Sequence, residues 1–138
     1  MAEELRALIA GVAAGLPSAA TRRLREAAAD SAHALVQIAC RGPDSARRVA
    51  EAHGALPTLL IAVAAGCAAA WPSLQAVASN SALVLSDIAA ATPDLARRVA
   101  EVPNALATLT AAVAAGSAAA TPSLQVQAEI LVAVGRVR

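Results

Sequence analysis

The stretch PDSARRVAEAHGALPTLLIAVAAGCAAAWPSLQAVA, Pro43 to Ala78, returns as PDLARRVAEVPNALATLTAAVAAGSAAATPSLQVQA, Pro93 to Ala128. The two copies align without a gap at an offset of 50 residues and differ at eleven of 36 positions. Richness in alanine does not produce such a match, because the identities run through turn residues as well as apolar runs. PD, ARRVAE, AVAAG and PSLQ all recur. A fixed period of this length marks a repeat array, in which each unit buries its apolar face on its neighbours.

A partial copy precedes these two. Leu5, Leu8, Ile9 and Val12 reappear as Leu56, Leu59, Leu60 and Val63, then as Leu106, Leu109, Thr110 and Val113. Each set follows the spacing i, i+3, i+4, i+7, which places four mainly apolar side chains on one stripe of a helix. A second series, Leu24, Ala28, Ser31, Leu35 and Ile38, returns 50 residues later as Leu74, Ala78, Ser81, Leu85 and Ile88 and marks a longer helix.

Punctuation divides each unit into three helices. In the first, Thr92 caps, Pro93 sits where its missing N–H costs nothing, and Asp94 lies at the positive end of the helix dipole. Gly42, Pro43 and Asp44 play these parts one unit earlier. A helix from about Ala55 to Ala65, stopped by Gly66, comes next, followed by the long one from about Pro72 to Ala90. The expected organisation is one domain over residues 1–138: a partial unit (1–41) and two full ones (42–91 and 92–138).

Composition agrees. The chain is 58% hydrophobic and 1% aromatic, with Trp71 its one aromatic residue. Alanine is the best helix former, and the β-branched and aromatic residues that strands prefer are comparatively scarce. The expected class is all-α.

At this point the residues resemble a known family. PDSARRVAEAHGALPTLL followed by SALVLSDIAA is similar to the armadillo repeat, with HGALP (His53 to Pro57) like its first turn and Leu85 to Ala89 like the end of its third helix. HEAT repeats, which share the same stacking, are the second choice. The resemblance implies a right-handed α-solenoid of about two and two-thirds repeats and a protein–protein interaction module. Its third helices would line a concave groove holding a partner segment. In the family a Trp and, four residues on, an Asn hold extended peptides. By register those positions fall on His33 and Gln37 in the first copy, Leu83 and Asp87 in the second, and Ala133 and Val137 in the last.

Opposite the core stripe of each long helix runs a second stripe: Glu26, Asp30, His33 and Gln37, then Ala76, Asn80, Leu83 and Asp87. The candidate partner-binding residues are His33, Gln37, Asn80, Leu83 and Asp87. In the last copy the same stripe is Val126, Ile130, Ala133 and Val137, on a helix apolar all round, which needs a cover. Those four residues are the candidates for self-association, and the alternative function is a structural repeat segment of a larger scaffold or a self-associating solenoid.

Other classes fare less well. The net charge is +1, from eleven arginines and ten acidic residues interspersed in sign, which does not suit a nucleic-acid surface. Pro57 and Pro72 bracket TLLIAVAAGCAAAW, too short for a bilayer that takes about 20 apolar residues to cross. Glu3 and Glu4 stand where a secretory signal carries positive charge, so a cytoplasmic or nuclear protein is expected. Cys40, Cys67, His33 and His53 lack the close ligand pairs of a zinc site, and no nucleophile stands beside a base. Neither catalysis nor a cofactor is expected. The Arg47–Arg48 and Arg97–Arg98 pairs are read as salt-bridging surface residues, Asp44 with Arg48, Asp94 with Arg98, Arg47 with Glu51 and Arg97 with Glu101 at i, i+4.

Overall fold

A computed structural model describes residues 2–17, 20–67, 72–103, 105, 107 and 108. These residues are all-helical, with no strand among them. The order is α1 (Ala2–Ala14), α2 (Arg22–Ala39), α3 (Pro43–Glu51), α4 (Ala55–Cys67), α5 (Pro72–Ala91) and α6 (Pro93–Glu101).

The helices begin and end where local chemistry dictates. Thr21 caps α2, its hydroxyl accepting from the Leu24 amide at 3.2 Å, and Thr92 caps α6, accepting from the Leu95 amide at 3.1 Å. Gly42, in the Thr92 position one unit earlier, has no side chain to offer and adopts φ 155°. Pro43 and Pro93 open α3 and α6 as expected. Between α3 and α4 the chain turns at Gly54, whose φ of 72° lies in the left-handed region that glycine enters without steric cost. Gly66 does not stop α4, which runs on to Cys67, so the glycine sits inside the final turn rather than beyond it.

Equivalent helices lie against equivalent helices. α1 packs on α4 and α2 on α5, while within a unit α1 packs on α2 and α4 on α5. The short helices fit between, α3 touching α2, α4 and α5, and α6 touching α5. One continuous core results, with Leu5, Ile9 and Val12 from α1, Ala28, Leu35 and Ile38 from α2, and Leu56, Leu59, Leu60 and Val63 from α4. Val77, Leu85 and Ile88 of α5 and Leu95 and Val99 of α6 complete it. The apolar stripe expected on each second helix is therefore the buried one, with Leu8 only half-buried. Leu106, Leu109, Thr110 and Val113 lie outside the described residues.

The stripe expected on the long helices needs one correction. Leu24 is 41% exposed, because it stands in the first turn of α2, and Ser31 is half-buried. At the next unit Ala78, Ser81, Leu85 and Ile88 are all buried. α1 and α2 approach closely where their residues are small. A methyl group added to Gly15 would meet the Ala28 Cβ and stand 2.8 Å from the Leu24 carbonyl oxygen, and one added to Gly11 would press on the Ser31 side chain. Cores of alanine and glycine work through such close approach, since dispersion falls away steeply with small gaps.

Candidate partner-binding face

α2 and α5 are the longest helices described and lie side by side. Both are buried along one side, which leaves an accessible stripe on the other. On α2 it comprises Glu26, Asp30, His33 and Gln37, all exposed, and on α5 Ala76, exposed, followed by half-buried Asn80, Leu83 and Asp87. These residues follow i, i+4, i+7, i+11 on each helix, so the stripes run at corresponding places on adjacent rods. The structure thus brings His33, Gln37, Asn80, Leu83 and Asp87 onto the accessible sides of two neighbouring helices. Val126, Ile130, Ala133 and Val137 lie outside the described residues.

The face is polar and partly pre-arranged. Gln37 Nε2 lies 3.3 Å from His33 Nε2, where the amide donates to the imidazole when that nitrogen carries no proton. One turn on, the Cys40 thiol donates to the Gln37 carbonyl at 3.3 Å. Glu26 is held by Arg22 at 3.0 Å, both exposed. Asp87 is different, because partial burial removes water from its carboxylate and pushes its pKa up. A positive charge beside such a carboxylate offsets that penalty, and a negative one adds to it. None of the eight stripe positions is an arginine, and three are carboxylates.

On the short helices the ion pairs differ from those expected. Asp94 pairs with Arg98 at 3.5 Å, as i, i+4 spacing predicts, but Asp44 with Arg48, Arg47 with Glu51 and Arg97 with Glu101 do not come within 4.0 Å. Arg47 instead reaches across to Asp94 at 4.0 Å, from α3 to α6. Sequence reasoning allowed only for pairs within one helix and missed this one, although the 50-residue period that puts like on like was its signal.

Two polar groups lie inside the fold, of which the sequence reading missed Arg25 and placed Ser81 on the core stripe by its spacing. Arg25 donates from Nη1 to the Ala20 carbonyl at 2.6 Å, tying the start of α2 to the loop before it. Ser81 is fully buried, and its hydroxyl has no hydrogen-bond partner. Arg25 stands in no pattern that would single it out, and the missing partner of the Ser81 hydroxyl has no signal in the sequence. Among the described residues no group of three His, Cys, Asp or Glu side chains gathers to hold a metal ion, and no helix is long and apolar enough to cross a membrane.

No family model, no curated protein and no solved structure matches the chain.

Proposed function

We propose that the chain is a segment of an armadillo-like α-solenoid, and that it binds an extended protein segment along the accessible stripes of α2 and α5, without chemistry of its own. The observation that carries this reading is the pair of stripes themselves. Two long helices from successive units lie side by side with His33 and Gln37 on one and Leu83 and Asp87 on the other, at corresponding positions. The stacking of α1 on α4 and α2 on α5, with the Arg47–Asp94 pair between α3 and α6, supports the solenoid part of the proposal.

The chemistry of the face suggests the kind of segment. Gln37 and Asn80 have amides able to pair with an extended backbone, Leu83 offers an apolar rest, and Asp30 and Asp87 are carboxylates that no arginine neutralises in the described structure. A segment carrying a basic side chain opposite Asp87 fits these groups, whereas an acidic segment leaves like charges facing each other.

The test is fluorescence polarisation of labelled, extended peptides of systematically varied charge against the purified chain. Binding of basic peptides that weakens in Asp87→Ala and Leu83→Lys, but not in Ile61→Ala on the outer side of α4, is the expected result. Peptides that bind equally to all three variants, or none that bind at all, would remove this face as the binding site.

A further inference from the structure

Gln37 Nε2 stands 3.3 Å from His33 Nε2, and two donors cannot make that contact. An amide nitrogen only donates, so the pair is bonded in this orientation when the imidazole Nε2 carries no proton. The Gln37 carbonyl oxygen is then left over, and it can accept from the N–H of an extended backbone. A charged imidazole donates from both nitrogens. The same pair then closes only through the Gln37 carbonyl oxygen, so the amide turns over and leaves its NH2 for the partner. Both side chains are exposed, which gives the amide room to rotate.

The charge on the ring acts in the same direction. Histidine is the side chain whose charge changes between about pH 5 and 8. On α2, Asp30 precedes His33 by one turn and Glu26 by two, and Arg22 holds Glu26. α5, packed alongside, carries a single ionisable side chain, Asp87, at the register of Gln37. α1, with Glu3, Glu4 and Arg6, meets α2 on the opposite side, through Ala28 and Ser31. α3 brings Asp44, Arg47, Arg48 and Glu51, of which Arg47 is drawn to Asp94. Among the described residues none of these carboxylates comes within 4.0 Å of His33. A proton on the ring therefore places a positive charge on a face whose other charges, outside the Arg22–Glu26 pair, are the carboxylates Asp30 and Asp87.

We propose that His33 is a proton-operated release for the bound segment: charging the ring turns the Gln37 amide over and cancels part of the pull of Asp30 and Asp87, so a basic segment taken up at neutral pH is let go in mild acid. The proposal rests on the binding face described above and names how that face is regulated. Burial of Asp87 works the same way, since a carboxylate that holds its proton more tightly loses its charge earlier as pH falls.

Fluorescence polarisation of an extended arginine-containing peptide with blocked ends, whose own charge stays constant, tests it between about pH 8 and about pH 6. Wild-type affinity should fall by about threefold to tenfold, the effect of one added charge a few ångströms away in a high-dielectric setting. His33→Gln should flatten the fall, whatever its affinity at neutral pH, and His53→Gln, which removes the other histidine at the turn before α4, should keep it. In the free chain the Gln37 side-chain amide resonances should move with the His33 ring titration in nitrogen–proton correlation spectra, a readout that needs no ligand. An affinity constant over this range, or a fall that survives in His33→Gln, overturns the release and leaves the face in place. Gln37 resonances indifferent to the ring overturn the turning of the amide and the release built on it. A peptide that binds at neither pH removes the face itself, and the release with it.

Discussion

Arg47 of α3 and Asp94 of α6 stand 4.0 Å apart, and the carboxylate that receives Arg47 also receives Arg98 of its own helix at 3.5 Å. The three residues belong to two successive copies of one sequence motif, so this bridge joins a unit to the next at equivalent short helices. All three are roughly half exposed, which limits what the bridge contributes. Exposed pairs are worth about 0.2–1 kcal/mol. A double-mutant cycle with Arg47→Ala and Asp94→Ala should give a coupling energy in that range by urea denaturation, and 1 M salt should erase most of it, because the Debye length then falls to about 3 Å.

The contact of Gly15 with Ala28 predicts a larger effect. A methyl group at Gly15 meets the Ala28 Cβ and the Leu24 backbone, neither of which can swing aside. Gly15→Ala should destabilise the chain by about 1–3 kcal/mol, the cost of overpacking a tight contact. Gly11→Ala should cost less, since its neighbour is the Ser31 side chain, and the double variant Gly11→Ala with Ser31→Ala should recover most of the loss. Chemical denaturation of the four proteins measures both statements.

Ser81 predicts a gain. Its hydroxyl is fully buried without a partner, and leaving such a group unsatisfied costs about 1–3 kcal/mol. Ser81→Ala keeps the helix and removes the penalty, so the melting temperature should rise. Ser31→Ala at the half-buried equivalent should change little by itself.

Asp87 supplies the pH dependence. Burial raises its folded-state pKa above the unfolded value, so the native state binds the proton more tightly than the unfolded chain does. Its contribution is therefore most favourable at acid pH and is lost as pH rises from the unfolded value through the folded one. Asp87→Asn should raise the melting temperature at neutral pH, and the advantage over the wild type should shrink as pH falls through this window. Melting curves measured from acid to neutral pH check it.

The helices were legible because their determinants are local. Thr92, Pro93 and Asp94 fix the start of α6 by themselves, and the i, i+3, i+4, i+7 spacing of Leu56, Leu59, Leu60 and Val63 names the buried side of α4 without reference to anything else. The accessible stripe on α2 and α5 followed from the same periodicity, as the side left over. What escaped depends on distances between helices. Leu24 belongs to the apolar series by spacing and is exposed by its place at the helix start, and Arg47 prefers a carboxylate in the next unit to Glu51 one turn away. Gly66 reads as a stop and is carried inside α4. Partner chemistry is the least legible of all, since His33 and Leu83 occupy one register and share no chemical character.

Spin labels placed at His33→Cys and Leu83→Cys, in a background of Cys40→Ser and Cys67→Ser, probe the stacking of equivalent helices most directly. Packed helices have axes about 8–10 Å apart. Labels at corresponding positions on α2 and α5 should therefore broaden each other's continuous-wave spectrum strongly by dipolar coupling. A doubly labelled spectrum equal to the sum of the two single-label spectra would contradict the layered arrangement, and with it the proposed binding face.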